Sequence, residues 1–116
     1  MTLQLGMVTI DCANPQQLAG FWIKALGVQV DQDYGEYLIL TAAAEGGAKL
    51  AFQKVPEARI GKNRVHVDFG TDDHAAEVRR LVGLGATEVE EHSMPGMGWT
   101  VLTDPEGNEF CVGAYH

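Results

Sequence analysis

An α+β fold of two tandem βαβββ modules, forming a curved mixed sheet around a cavity, is expected from three features of this 116-residue chain. In each half a hydrophobic pattern of period two is followed by one of helical period. Each helical stretch closes in Leu-Gly, at Leu26-Gly27 and Leu84-Gly85, and these glycines are 85 − 27 = 58 residues apart. Three short strand-like runs, bounded by glycine, proline or aspartate, follow each helix. A repeat at fixed spacing constrains architecture more than any single pattern does.

The first half opens with LGMVTIDC, residues 5–12, which alternates as a strand. Asn14 then suits a helix N-cap, and Pro15 suits the first helical position, where a missing N–H costs nothing. Leu18, Phe21, Trp22 and Ala25 recur at helical spacing, and Gly27 supplies a left-handed cap. Strands are expected over 28–32, 36–41 and 49–54, with turns at Gly35 and in AEGG, residues 44–47. The second half repeats the plan. Its strand, residues 65–70, lies in RVHVDFG; Asp72 or Asp73 caps a helix whose inner face is Ala75, Val78, Leu81 and Val82. Strands follow over 87–92, 99–103 and 109–113, with turns at Pro95-Gly96 and DPEGN, residues 104–108. Proline at the second turn position and glycine near the end give DPEGN its turn chemistry. Module one is therefore 1–55, the linker 56–62 and module two 63–116. One module alone buries too little apolar surface to offset chain entropy. Pairing two leaves a concave hollow of the kind small molecules occupy.

The totals exclude several roles. A formal charge of −8 opposes binding to nucleic acid, where affinity comes from Lys and Arg on phosphates. No run approaches the roughly 20 apolar residues of a membrane span. The start MTLQLGMVTIDC lacks a basic segment followed by an apolar one, so a cytoplasmic protein is expected. Cys12 and Cys111 form no CxxC pair, and both are expected as free thiols.

Strand alternation then assigns faces. Met7, Thr9 and Asp11 are expected inward, with Val8, Ile10 and Cys12 on the helix side. If His66 and Asp68 face the cavity, Val65, Val67 and Phe69 pack on the helix. Gln53 and Cys111 face inward, while Phe52, Phe110 and Val112 enter the core. Tyr37 and Trp99 match across the repeat, 99 − 37 = 62, but alternation leaves their face open. The candidate ligand-binding residues are thus Met7, Thr9, Asp11, Tyr37, Gln53, His66, Asp68, Trp99 and Cys111. His66 is either an acid/base oriented by Asp68, a ligand contact, or a structural polar residue. Residues i and i+2 of a strand are too far apart to guarantee a hydrogen bond, so the latter two readings stand ahead of proton transfer. No catalytic residue is assigned. Tyr37 and Trp99 either stack on a flat ligand or fill the core; Asp11 and Asp68 either recognise a ligand or are solvated. His74, His92 and His116 fall in turn, loop or terminal positions and receive no function, and 92–98 is expected as a loop leading into Trp99.

The segments NPQQLAGFWIKALG, RVHVDFGTDD, LVGLGA and GWTVLTDPEGNEFCV resemble the vicinal oxygen chelate superfamily, the glyoxalase/bleomycin-resistance/dioxygenase group. The resemblance covers essentially the whole chain. It implies paired modules around a cavity, a homodimer, and a small molecule as ligand or substrate. In metal-using members the ligands come from the first and last strands of each module. Here those positions carry Met7, Gln53, His66 and Cys111, and the repeat supports the pairings, 66 − 7 = 59 and 111 − 53 = 58. His66 is a good ligand and Cys111 one for zinc as thiolate, but Gln53 is a weak neutral oxygen and Met7 a thioether that hard cations ignore. No metal and no cofactor are therefore expected. The expected function is metal-independent binding of an apolar or aromatic natural product or drug, as in bleomycin resistance. The alternative is a glyoxalase- or dioxygenase-like lyase, isomerase or cyclase with His66 as metal ligand or acid/base.

Overall fold

The order of elements is β1 (Met7–Cys12), α1 (Pro15–Leu26), β2 (Val30–Asp33), β3 (Tyr37–Leu40), β4 (Lys49–Lys54), β5 (Val67–Gly70), α2 (His74–Leu84), β6 (Thr87–Met94), β7 (Met97–Thr103) and β8 (Glu109–Gly113). This computed structural model describes residues 5–58, 60–61, 63, 65–95 and 97–113. Arg59 and Lys62 of the expected linker, Arg64 of RVHVDFG, Gly96 of the expected turn, and His116 lie outside them. The chain divides into two units, Met1–Ala58 and Arg59–His116. Each holds a four-stranded mixed sheet, in the orders β1-β4-β3-β2 and β5-β8-β7-β6. The strand before the helix pairs in parallel with the last strand, and the remaining pairs are antiparallel. The βαβββ plan is present twice, as the sequence predicts.

The local signals act as expected. Asn14 Oδ1 accepts the Gln17 N–H at 3.1 Å, and Gly27 closes α1 at φ 68°, a left-handed position that a side chain would strain. Asp73, rather than Asp72, caps α2 by accepting the Ala76 N–H at 3.2 Å. In the DPEGN turn Asp104 Oδ1 accepts the backbone N–H groups of Glu106 and Asn108, at 2.9 and 3.0 Å. Helix α1 rests on β3 and β4, and α2 on β8 and β6. The first unit's core is Leu18, Phe21, Trp22, Leu38, Leu40 and Phe52; the second's is Val78, Leu81, Leu102, Phe110 and Val112.

Four expectations need correction. β1 begins at Met7 rather than Leu5. β5 begins at Val67, so His66 precedes the strand, and Val65 is 73% exposed instead of lying on the helix. Continuing the parallel register would set Val65 against Asn108, whose N–H is already committed to Asp104. On α2, Ala75 and Val82 are exposed; of the four, only Val78 and Leu81 are buried. Within 92–98, residues 92–94 and 97–98 are strand rather than loop: β6 runs to Met94 and pairs Met94 with Met97.

Both sheets also carry an irregularity at the same place. The register slips between Val30 and Gln32 in β2, and between Glu88 and Glu90 in β6. The extra residues, Asp31 and Val89, are 89 − 31 = 58 positions apart. A bulge re-aims every side chain beyond it. Thus Glu88 and Glu91, three positions apart, share one face, and Glu90 and His92 take the other.

Candidate functional site

Hydrogen bonds from one helix residue in each unit identify the helix-facing side of its sheet. In the first, Gln16 of α1 donates through Nε2 to Asp33 Oδ1 of β2 at 3.3 Å and to the Gly35 carbonyl at 2.7 Å. Asp33 pairs with Leu38, and Leu38 with Phe52, so these side chains point to α1. In the second unit His74 Nε2 and Thr100 Oγ1 share a hydrogen bond of 2.7 Å, which places Thr100 and its register partners Val112 and Glu91 toward α2. The alternate residues form the far face of each sheet.

On the first unit's far face lie Met7, Thr9 and Asp11 of β1, Ala51 and Gln53 of β4, and Tyr37 and Ile39 of β3. The Tyr37 hydroxyl donates to Met7 Sδ at 3.1 Å and shares a 3.1 Å hydrogen bond with Thr9 Oγ1. Its ring is thereby held across β1 and β4. Gln53 stands in register between Tyr37 and Asp11, and both Gln53 and Asp11 are exposed.

On the second unit's far face lie Asp68, Cys111, Val101 and Trp99. Cys111 sits between Asp68 and Val101 and is only 4% exposed. Trp99 is half-buried and stacks on His92, with ring centroids 5.3 Å apart and an interplanar angle of 21°. His92 Nε2 in turn lies 2.8 Å from Glu90 Oε2. Glu90, His92 and Trp99 therefore form a continuous layer on this face. His66 is half-buried just before β5, and among the described residues it shares no hydrogen bond with Asp68.

The register settles the faces that alternation left open. Tyr37 pairs with Gln53, and Trp99 with Gly113, so both rings occupy matching far-face places. His92 and Glu90 were missed by sequence reasoning. Residues 90–94, EEHSM, carry no apolar alternation that could have revealed them, and the turn-like SMPG follows at once.

The register also tests the metal positions. The N-caps Asn14 and Asp73 are 73 − 14 = 59 apart, and the same offset matches Met7 with His66 and Asp11 with Gly70. Gln53 pairs with Asp11, and Gly113 with Gly70, so Gln53 corresponds to Gly113 and Cys111 to Ala51. The expected pairing of Gln53 with Cys111 does not hold. Moreover, Met7 stands opposite Lys49, four residues from Gln53, a separation of about 13 Å along a strand. The Met7 sulfur already accepts the Tyr37 hydroxyl. Met7, Ala51, His66 and Cys111 supply only two credible donors, too few for a closed or a catalytic divalent site. Among the described residues no group of three or more His, Cys, Asp or Glu side chains is placed to hold a metal ion.

The sequence matches the family described as Glyoxalase-like domain over residues 7–113. A glyoxalase/bleomycin resistance protein/dioxygenase family enzyme from Burkholderia phytofirmans PsJN superposes with a TM-score of 0.82 at 18% identity, covering 98% of this chain and 100% of that one. A glyoxalase-related enzyme from Fulvimarina pelagi gives 0.76 at 16% identity, covering 97% and 88%. Lactoylglutathione lyase from Agrobacterium tumefaciens gives 0.73 at 17% identity, covering 97% and 93%. No curated protein matches the sequence. At these identities the structural likeness speaks for the fold alone, and with the family match it is sufficient: the chain belongs to the glyoxalase-like domain family of the vicinal oxygen chelate superfamily.

Proposed function

We propose that this chain binds an apolar or aromatic small molecule, without a resident metal, on the far faces of its sheets. The observation that carries the reading is the pair of aromatic rings at matching register places, Tyr37 tied to Thr9 and Met7, and Trp99 layered on His92. A ring fixed by neighbours offers wide contact area and loses little freedom on binding. In the first unit Asp11 and Gln53 supply polar edges beside the Tyr37 ring; in the second Asp68 and His66 do so, with Cys111 a soft buried residue of the same unit. The poor donor set at the metal positions favours binding over chelation of vicinal oxygens. Sequestration of a natural product or drug fits these properties. A cytoplasmic homodimer belongs to the same proposal, and light scattering after size exclusion reads the dimer directly.

The test begins with metal content, by inductively coupled plasma mass spectrometry on protein purified without chelator. Less than one-tenth of an equivalent of zinc, iron or manganese is expected. Near-stoichiometric metal would overturn the metal-free reading and turn attention to lyase and dioxygenase assays. A thermal-shift screen of aromatic compounds follows; a hit that raises the melting temperature of the parent but not of Trp99→Ala supports the proposal. No stabilisation by any such compound at saturating concentration counts against it. If a hit is turned over, His66→Ala decides the chemistry, since removal of a positioned acid/base lowers turnover by about 10²-fold or more.

A further inference from the structure

We propose that a hollow between α2 and the β6–β7 strands is a separate binding site for a compact zwitterion, a molecule carrying one ammonium and one carboxylate. The hollow has a volume of ≈ 310 Å³, at the lower end of small-molecule pockets. It lies on the helix side of the second sheet, opposite the face that carries Trp99.

The first unit explains why the hollow exists. There α1 lays Phe21 and Trp22 edge to face on its sheet, with ring centroids 5.0 Å apart. At the N-cap offset of 59, Phe21 maps onto Arg80, which is engaged with Glu77, and Trp22 maps onto Leu81, so the second unit has smaller apolar filling where the first has two rings. In the first unit Gln16 also ties the start of α1 to Asp33 and Gly35. The N-cap offset of 59 makes Ala75 the counterpart of Gln16, and the register makes Glu91 the counterpart of Asp33. Alanine has no amide to reach across. The strut is missing, and the carboxylate it would satisfy remains.

What lines the hollow then defines the guest. Glu88 and Glu91 stand on the β6 wall together because of the bulge at Val89. Neither carboxylate has a hydrogen bond or ion pair to another described residue. Glu88 replaces Val30, so this wall has gained charge relative to the first unit. Arg79 faces them from α2, likewise without a described partner. Ala75 and Val78 make an apolar strip between the charges. At the floor the Thr100 hydroxyl, in a residue 2% exposed, is bonded to the His74 imidazole. An ammonium supplies Glu88 and Glu91 with the donor that Ala75 lacks, a short methylene chain covers Ala75 and Val78, and a carboxylate takes the Arg79 fork.

The experiment is a ¹H–¹⁵N NMR titration of the full chain at neutral pH and low salt. Three probes are compared: 4-aminobutyrate, butylamine and butyrate. 4-Aminobutyrate is expected to shift the amides of 74–79 and 88–91 saturably, and to bind about tenfold more tightly than either single-charge probe, each charge-assisted contact being worth that much. Glu91→Gln is expected to weaken 4-aminobutyrate about tenfold, and Ala75→Gln, which rebuilds the strut, to abolish its binding without lowering the melting temperature. Absence of saturable shifts, butylamine binding as well as 4-aminobutyrate, or unaltered affinity in folded Glu91→Gln overturns the proposal. Trp99→Ala leaves this titration unchanged, so its outcome is independent of the far-face ligand.

Discussion

Gln16 and Ala75 occupy the same place in the two units, and the difference between them is one side-chain amide. Gln16 donates to an aspartate and to a carbonyl at the edge of the first sheet. Removing it leaves both acceptors to water, so Gln16→Ala is expected to lower the unfolding free energy by about 0.5–1.5 kcal/mol in urea melts. At the other extreme stands Leu102, which is fully buried. Leu102→Ala is expected to cost about 2–5 kcal/mol, while Val82→Ala, at a residue 44% exposed, changes stability by less than about 0.5 kcal/mol. Some of this is legible in the sequence. Asn14, Gly27, Phe52 and Phe110 carry their roles in residue type and spacing, because caps and periodic apolar positions are decided within a few residues. Val65, Val82 and His92 are not legible in the same way. Whether Val65 joins a strand depends on Asn108, forty-three positions away, and whether His92 faces Trp99 depends on a bulge.

Strands and helices of this chain are easier to find than to orient. No glycine marks either bulge, and the stretches VDQD and EVEE read as ordinary edge strands. Only the pairing with β3 and β7 exposes the extra residue, yet that residue decides which carboxylates meet the helix. The hairpin over 92–98 was hidden by its own Pro and Gly, which look like an extended loop until Met94 and Met97 are seen paired. On α2 the exposed face is stabilised by an ion pair three residues apart. Arg80 Nε donates to both Glu77 carboxylate oxygens at 3.2 and 3.1 Å. This hydrogen bonding holds the Glu77 carboxyl below its ordinary value, against an opposing effect of burial, and raises Arg80. A depressed carboxyl pKa gives stability that is present above the unfolded-chain value of about 4.3 and lost as pH falls through the folded one. With both side chains a third or more exposed, screening limits the pair to about 0.3–0.5 kcal/mol. Glu77→Gln is therefore expected to be less stable than the parent by that amount at pH 7. The gap should close as pH drops below about 4.3, and urea melts at both pH values check it. A gap that widened in acid would show that the pair does not act in this way.

The whole chain builds one plan twice and fills it unequally. α1 buries Pro15, Leu18, Ala19, Phe21 and Trp22, whereas α2 buries only Val78 and Leu81. The repeat was legible from the Leu-Gly closures and the period changes, because architecture depends on pattern. The unequal filling was not, because it depends on which helical positions meet the sheet; four apolar inner-face residues were expected on α2 and two are buried there. Among the described residues no helix is long and apolar enough to cross a membrane; α1 packs on β3 and β4, and α2 on β8 and β6. Each large apolar side chain fully removed from water contributes about 1.5–3 kcal/mol, and α1 has more of them than α2. Local opening draws first on the element with the least buried apolar contact. Hydrogen exchange followed by mass spectrometry is therefore expected to show α2 amides exchanging at least about tenfold faster than those of α1 under native conditions. Equal protection would mean that both helices open only when the whole chain unfolds, and the unequal filling would then carry no dynamic consequence. Faster exchange in α2 would instead locate the weakest part of the fold beside the hollow that β6 and α2 leave open.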